Sequence, residues 1–93
     1  MRFRWDSTKA AANDRKHGVS FREAATALRD SLSATYPDVD HSQAEPRYLT
    51  IGVSGQGKVL VVSHAEGEDD EEIRIISARL ATRRERRFYE ENR

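Results

Sequence analysis

The segment Lys58–His64 carries the unbroken apolar run Val59-Leu60-Val61-Val62. A strand with apolar side chains on both of its faces has to be covered on both, which places it in the centre of a sheet. Gly55-Gln56-Gly57, just before it, is a turn of the kind hairpins use, so Arg47–Ser54 is expected to pair with it antiparallel. Ile73–Ala78 reads as a further strand. The acidic stretch Glu66–Glu72, broken only by Gly67, cannot enter a core and is expected to be an exposed loop.

Ahead of these strands, Arg2-Phe3-Arg4-Trp5 alternates polar and apolar residues, the pattern of a short half-buried strand. Asp6 stands where an N-cap belongs, because its carboxylate can accept the free amides of a first helical turn. The alanine-rich residues 7–17 follow as a helix, stopped by Gly18. Ser20-Phe21-Arg22-Glu23 is a capping box, and Phe21, Ala24, Ala25 and Leu28 give the helix it opens a buried face. Residues 30–46 hold both prolines and several Asp and Ser, and read as an irregular connection with a short strand near Ala34–Tyr36. Thr82-Arg83-Arg84-Glu85 is a second capping box, opening a final helix to about Asn92. Phe88 in that helix and Trp5 near the amino terminus are expected in the core. The expected architecture is α+β: one domain over 1–93, a small mainly antiparallel sheet with two N-terminal helices and one C-terminal helix, packed on one face.

Composition narrows the chemistry. The chain has no cysteine, which excludes disulfides and thiolate sites. No apolar run approaches the roughly 20 residues that span a bilayer and no signal-peptide pattern opens the chain, so a soluble cytoplasmic protein without membrane attachment is expected. There is no phosphate loop, paired-histidine metal motif, nucleophile elbow or catalytic carboxylate pair, and neither a cofactor nor a metal site is expected. Net charge is zero, yet residues 1–29 carry seven Lys/Arg against three Asp/Glu, residues 30–78 three against ten, and residues 79–93 six against three. Two basic ends around an acidic middle make a basic face if the ends meet in space.

What remains is arginine, lysine and histidine. A ribonuclease acting by transesterification must deprotonate a 2′-hydroxyl, stabilise a phosphorane and release a 5′-oxygen. Arginine suits the second task through its planar fork, and histidine the first or third. Arg79 sits where a strand passes towards a helix, and from the residues alone it reads first as an ion-pair partner of the acidic stretch and only second as a site residue. Lys9, Asn13, Lys16 and His17 share one face of the first helix. Arg83 and Arg84 stand in a first helical turn, where cations oppose the helix dipole, so helix stability does not account for them. Arg86–Glu90 and Arg87–Glu91 are i,i+4 pairs on a solvated face. His64 reads as structural, and the Tyr89 hydroxyl as free to reach solvent or a phosphate.

Trp5-Asp6 with Lys9, Asn13 and Lys16-His17-Gly18-Val19-Ser20-Phe21-Arg22-Glu23-Ala24 resembles the amino-terminal signature of BrnT toxins. His41-Ser42, Glu45 and Arg47 resemble the middle motif of that family. Tyr48-Leu49-Thr50-Ile51-Gly52, Leu60-Val61-Val62 and His64 resemble its hairpin, and Arg74-Ile75-Ile76-Ser77-Ala78-Arg79 with Ala81-Thr82 and Glu85 to Tyr89 its carboxy-terminal signature. The resemblance runs through essentially the whole chain, in order. The stretch Glu66–Glu72 is more acidic than the family pattern, and Leu80 falls where a basic residue is expected.

The resemblance implies a RelE-like fold and a metal-independent endoribonuclease that halts translation. It also implies a BrnA-like antitoxin partner that neutralises the toxin and supplies the operator DNA contacts of the complex. On that basis Arg79 is expected to stabilise the transition state, with Arg74 or Arg83 assisting. Lys16, His17 and His41 are candidates for proton transfer, and Lys9, Arg47, Arg83, Arg84 and Tyr89 for RNA contacts. The alternative is a catalytically inactive binding module that acts with its antitoxin as a transcriptional co-repressor.

Overall fold

A computed structural model describes residues 1–92; Arg93, the last residue of the expected domain, lies outside them. The element order is β1 (Arg2–Arg4), α1 (Ser7–His17), α2 (Phe21–Leu28), β2 (Ala34–Pro37), a 3-10 turn (Val39–His41), β3 (Tyr48–Val53), β4 (Val59–Glu66), β5 (Glu72–Leu80) and α3 (Arg83–Glu91). The strands form one mixed sheet in the order β1-β5-β4-β3-β2, antiparallel except that β1 runs parallel to β5.

The caps behave as the sequence dictates. Asp6 accepts the amides of Thr8 and Lys9 at 2.8 and 3.1 Å. Gly18 ends α1 in the left-handed conformation at φ 69°, which a side chain would disfavour. Thr82 and Glu85 complete a reciprocal capping box at the start of α3.

The apolar run in β4 is covered on both faces, but not by helices on one side only. Leu60 and Val62 pack with Val19, Phe21, Ala24, Ala27 and Leu28 of the α1–α2 layer. Val61 points the other way and packs with Ile51, Ala81 and Tyr89 under α3. The helices therefore lie on both faces of the sheet, correcting the one-face arrangement expected from the sequence. Gly52 permits the close approach of α2, since a Cβ there would stand 2.5 Å from the Ala27 carbonyl oxygen.

Two assignments within the core also change. Phe88 is 45% exposed and Trp5 36%, whereas Tyr89 is only 4% exposed and donates its hydroxyl to Asp30. Adjacent residues of a helix point about 100° apart, so one aromatic of the pair turns inward and its neighbour turns out. Tyr89, expected as an RNA contact, is thus buried in the core with its hydroxyl engaged by Asp30.

At its open edge β5 is covered first by β1 and then by a side chain. Pairing with β1 stops at Arg4 and Arg74. Further on, Asn13 of α1 is buried; its amide nitrogen donates to the Ala78 and Val19 carbonyls at 2.9 and 3.0 Å and its oxygen accepts the Ala78 amide at 3.1 Å. One side chain does there what a paired strand would do.

Candidate active site

The position of Arg79 is set by an irregularity. Ser63 pairs with Ser77 but His64 pairs with Ile75, leaving Ile76 as an extra residue in β5. Without this bulge Ile75, Ser77 and Arg79 would share a face, as alternate residues of a strand must. With it, Ile75 and Ala78 both enter the α1–α2 core, while Ser77 and Arg79 turn to the α3 side. Arg74, before the bulge and opposite Ala65, is on that α3 side too.

Cross-strand neighbours then form rows on the α3 face. One row reads Tyr36, Leu49, Ser63, Ser77, and the next Ala34, Ile51, Val61, Arg79. The backbone bond from the Asp38 amide to the Arg47 carbonyl, 2.8 Å, continues the β2–β3 ladder, so Asp38 and Arg47 extend the first row's flank towards Ala65, Arg74 and Arg4. The small residues Ser63 and Ser77 thus occupy the middle of a sheet face, here called the basin, on which the register also places Tyr36, Arg79, Arg47 and Arg74.

Arg79 is not an empty fork. Its Nη1 and Nη2 donate to the two Glu85 carboxylate oxygens at 2.7 and 2.9 Å, and Nη1 also reaches the Leu80 carbonyl at 3.3 Å. The Arg79 hydrogen bond, strengthened by the Thr82 amide, holds Glu85 down at a pKa of about 2. The ion pair read for Arg79 from the sequence therefore exists, but with the capping-box glutamate and not with the acidic stretch. That stretch is engaged elsewhere: Arg2 pairs with Asp69 at 2.6 Å, and Arg4 with Glu68 and Glu72 at 2.9 and 3.4 Å. The two β1 arginines thus meet three of its six carboxylates, which offsets part of its negative charge.

Tyr36, which the sequence reading passed over, lies among these groups. Burial, then the nearby Glu85 and Asp38 carboxylates, raise its phenol pKa, while Arg79 opposes them. It stays protonated and can donate. With Ile51, Arg84, Glu85 and Phe88 it lines an open cavity of about 310 Å³. Only its place in a short strand opposite Leu49 shows that it belongs here, and that pairing carries no sequence signature.

His41 stands in the turn after β2. Its Nδ1 lies 2.9 Å from an Asp38 carboxylate oxygen and its ring is exposed. With Nδ1–H donated to Asp38, Nε2 is left as an exposed acceptor. His41 and Arg47 line one cavity, and the buried Arg47 Nε meets no acceptor among the described residues. Arg74 donates to Glu45.

The remaining candidates lie elsewhere. Lys9 lines a cavity with Arg74, Ile75 and Ile76, and Asn13 of the same helix face meets Ala78, so α1 runs alongside β5. Lys16 and His17 stand in the last turn of α1, one turn beyond Asn13. Arg83 is exposed on the first turn of α3. His64 is 8% exposed, with Nε2 2.7 Å from Thr50 Oγ1 and its ring stacked on Tyr48; burial lowers its pKa. It is a neutral structural histidine on the opposite face from Arg79. Among the described residues no group of three or more His, Asp or Glu is arranged to hold a metal, and no helix is long and apolar enough to cross a membrane.

Comparison with known proteins agrees with the fold and motifs. Residues 5–85 match the family described as "Ribonuclease toxin, BrnT, of type II toxin-antitoxin system". The 1.1 Å crystal structure of the Brucella abortus ribonuclease toxin BrnT superposes with a TM-score of 0.67 at 25% identity, covering 89% of this chain and 99% of that one. No curated protein sequence matches the chain. With the match extending over nearly its whole length, the chain belongs to the BrnT family of ribonuclease toxins of type II toxin–antitoxin systems.

Proposed function

We propose that the basin under α3 cleaves RNA by transesterification. The observation that carries this reading is that Tyr36 and Arg79 interact on one sheet face, with the Asp38 carboxylate, which His41 contacts, acting on the same phenol. His41 Nε2, with Asp38 orienting the ring, takes the proton of a 2′-hydroxyl. The 2′-oxygen attacks phosphorus, and the added negative charge of the phosphorane falls to Arg79, which retains an Nε–H and one Nη2–H beyond its bonds to Glu85. The P–O5′ bond breaks as the Tyr36 phenol protonates the leaving oxygen, giving a 2′,3′-cyclic phosphate and a 5′-hydroxyl. Arg47 and Arg74 are phosphate contacts beside the reacting group, and Arg83 and Arg84 extend the basic rim.

Every proton and charge in this scheme is handled by side chains of the chain, so the proposed reaction is metal-independent. Cleavage of RNA by the purified antitoxin-free protein in excess chelator, with cyclic-phosphate and 5′-hydroxyl termini, is the expected result. Chelator-abolished cleavage, or 5′-phosphate products, would contradict it.

In the cell this activity arrests translation in the cytoplasm until a BrnA-like antitoxin covers the toxin, and the complex binds operator DNA through the antitoxin. One observation favours the second reading, an inactive co-repressor module: Glu85 neutralises Arg79 and Glu45 neutralises Arg74. That reading expects tight antitoxin binding and no cleavage of purified RNA.

A further inference from the structure

The sheet edge has a step between the end of the β1 pairing at Arg74 and the Asn13 contact at Ala78. A cavity of about 300 Å³ fills it, lined by Arg4, Trp5, Asp6, Lys9, Arg74, Ile75 and Ile76. Trp5 is held edge-to-face against Phe21, with ring centroids 6.2 Å apart, and still keeps 36% of its surface exposed. A partly exposed indole anchored by a core ring is a fixed aromatic surface. Of the charged groups here, Arg4 is paired with Glu68 and Glu72, Arg74 with Glu45, and Asp6 accepts helix amides. Lys9 has no ion-pair partner among the described residues.

An unpaired cation beside an aromatic surface is the combination that binds a nucleotide, the base stacking and the phosphate meeting the ammonium. Arg74 belongs both to this cavity and to the basin face carrying Arg79, so a strand lying across Arg74 passes from one to the other. We propose that this cavity is a subsite for a single-stranded RNA nucleotide neighbouring the cleaved phosphodiester, its base on Trp5 and its phosphate on Lys9. The inference rests on the ribonuclease reading for its substrate, but concerns binding alone.

Trp5 is the only tryptophan of the chain, so its fluorescence reports on this cavity. A 2′-O-methyl RNA hexamer of mixed sequence, which cannot undergo transesterification, is titrated into the full-length protein. Saturable quenching is expected, and Lys9→Glu should weaken it about tenfold, the loss expected for replacing a phosphate contact by a repelling charge. In cleavage assays the same variant should act through KM. Arg79→Ala should abolish cleavage and leave quenching in place. Cleavage by the parent without quenching, or a Lys9→Glu variant with parental affinity, would overturn the subsite and leave the ribonuclease reading standing. Quenching without cleavage would overturn the ribonuclease reading and leave the subsite. Neither quenching nor cleavage would overturn both.

Discussion

Arg79 and Glu85 hold each other through two parallel hydrogen bonds, and Glu85 simultaneously closes the capping box of α3 by accepting the Thr82 amide at 2.8 Å. The last residues of β5 and the first turn of α3 are therefore fixed by one carboxylate. This orients the guanidinium at the rim of the basin, and it also places a negative charge where a phosphate would come. If RNA is held at Arg79 as proposed, its binding and the stability of α3 are coupled through this pair.

Glu85→Ala removes both the pair and half of the cap, and should cost about 1–2 kcal/mol, allowing for partial solvent screening of the pair. The pH dependence has a definite sign. Because the folded pKa, about 2, lies below the ordinary value of 4.5, the contribution is present above pH 4.5 and is lost as pH falls towards 2. Urea midpoints of parent and variant should differ most above pH 4.5 and converge below it.

Tyr36→Phe deletes one oxygen and leaves the packing of the ring beside Ile51 intact. If the phenol is the proton donor, kcat should fall about 100-fold with little change in thermal stability. A parental kcat would move the acid role elsewhere.

His64 should weaken the fold in mild acid. Burial depresses its pKa, so the unfolded chain binds the proton first, and stability falls as pH drops below the ordinary value of 6.5. In His64→Gln, which keeps a donor for Thr50, the decline between pH 6.5 and 5 should be shallower than in the parent. Denaturation monitored at matched pH values checks this, and equal slopes would contradict it.

Much of the fold was legible because its signals are local. Asp6, Gly18, Ser20 and Thr82 each mark a helix end through hydrogen bonds that span a few residues, and the observed helices begin and end close to them. The Gly55-Gln56-Gly57 turn marked the hairpin for the same reason. The parallel pairing of Arg2–Arg4 with Glu72–Arg74 joins segments separated by most of the chain, and no short-range pattern encodes it. The site suffered most from this. A bulge at Ile76 decides which face receives Arg79, and alternation read without it puts Arg79 on the side of Ile75. Tyr36 falls in the short strand legible near Ala34–Tyr36, but the neighbours that act on it, Glu85 and Asp38, are brought to it only by the tertiary fold. Phe88 and Tyr89 are adjacent aromatics, and only the placement of α3 decides which one is buried.

Asn13→Ala should be among the most damaging single changes that leave the apolar core intact. It strands the buried Ala78 amide and carbonyl at the edge of β5, a loss of about 2–4 kcal/mol. A melting temperature lower by roughly 8 °C or more is expected, with Asn13→Asp partly retaining the bond from the Ala78 amide.

The central expectation is that the chemistry takes place on the α3 face of the sheet. RNA cleavage by purified, antitoxin-free protein, comparing the parent with Arg79→Ala, His41→Ala and His17→Ala at equal folded concentration, tests this directly. The expected result is loss of cleavage by a factor of about 100 or more in Arg79→Ala and His41→Ala, and near-parental rates in His17→Ala, which takes no part in the proposed proton transfers. Full activity in Arg79→Ala and His41→Ala, with loss in His17→Ala, would contradict it and move the site to the α1 edge of the sheet.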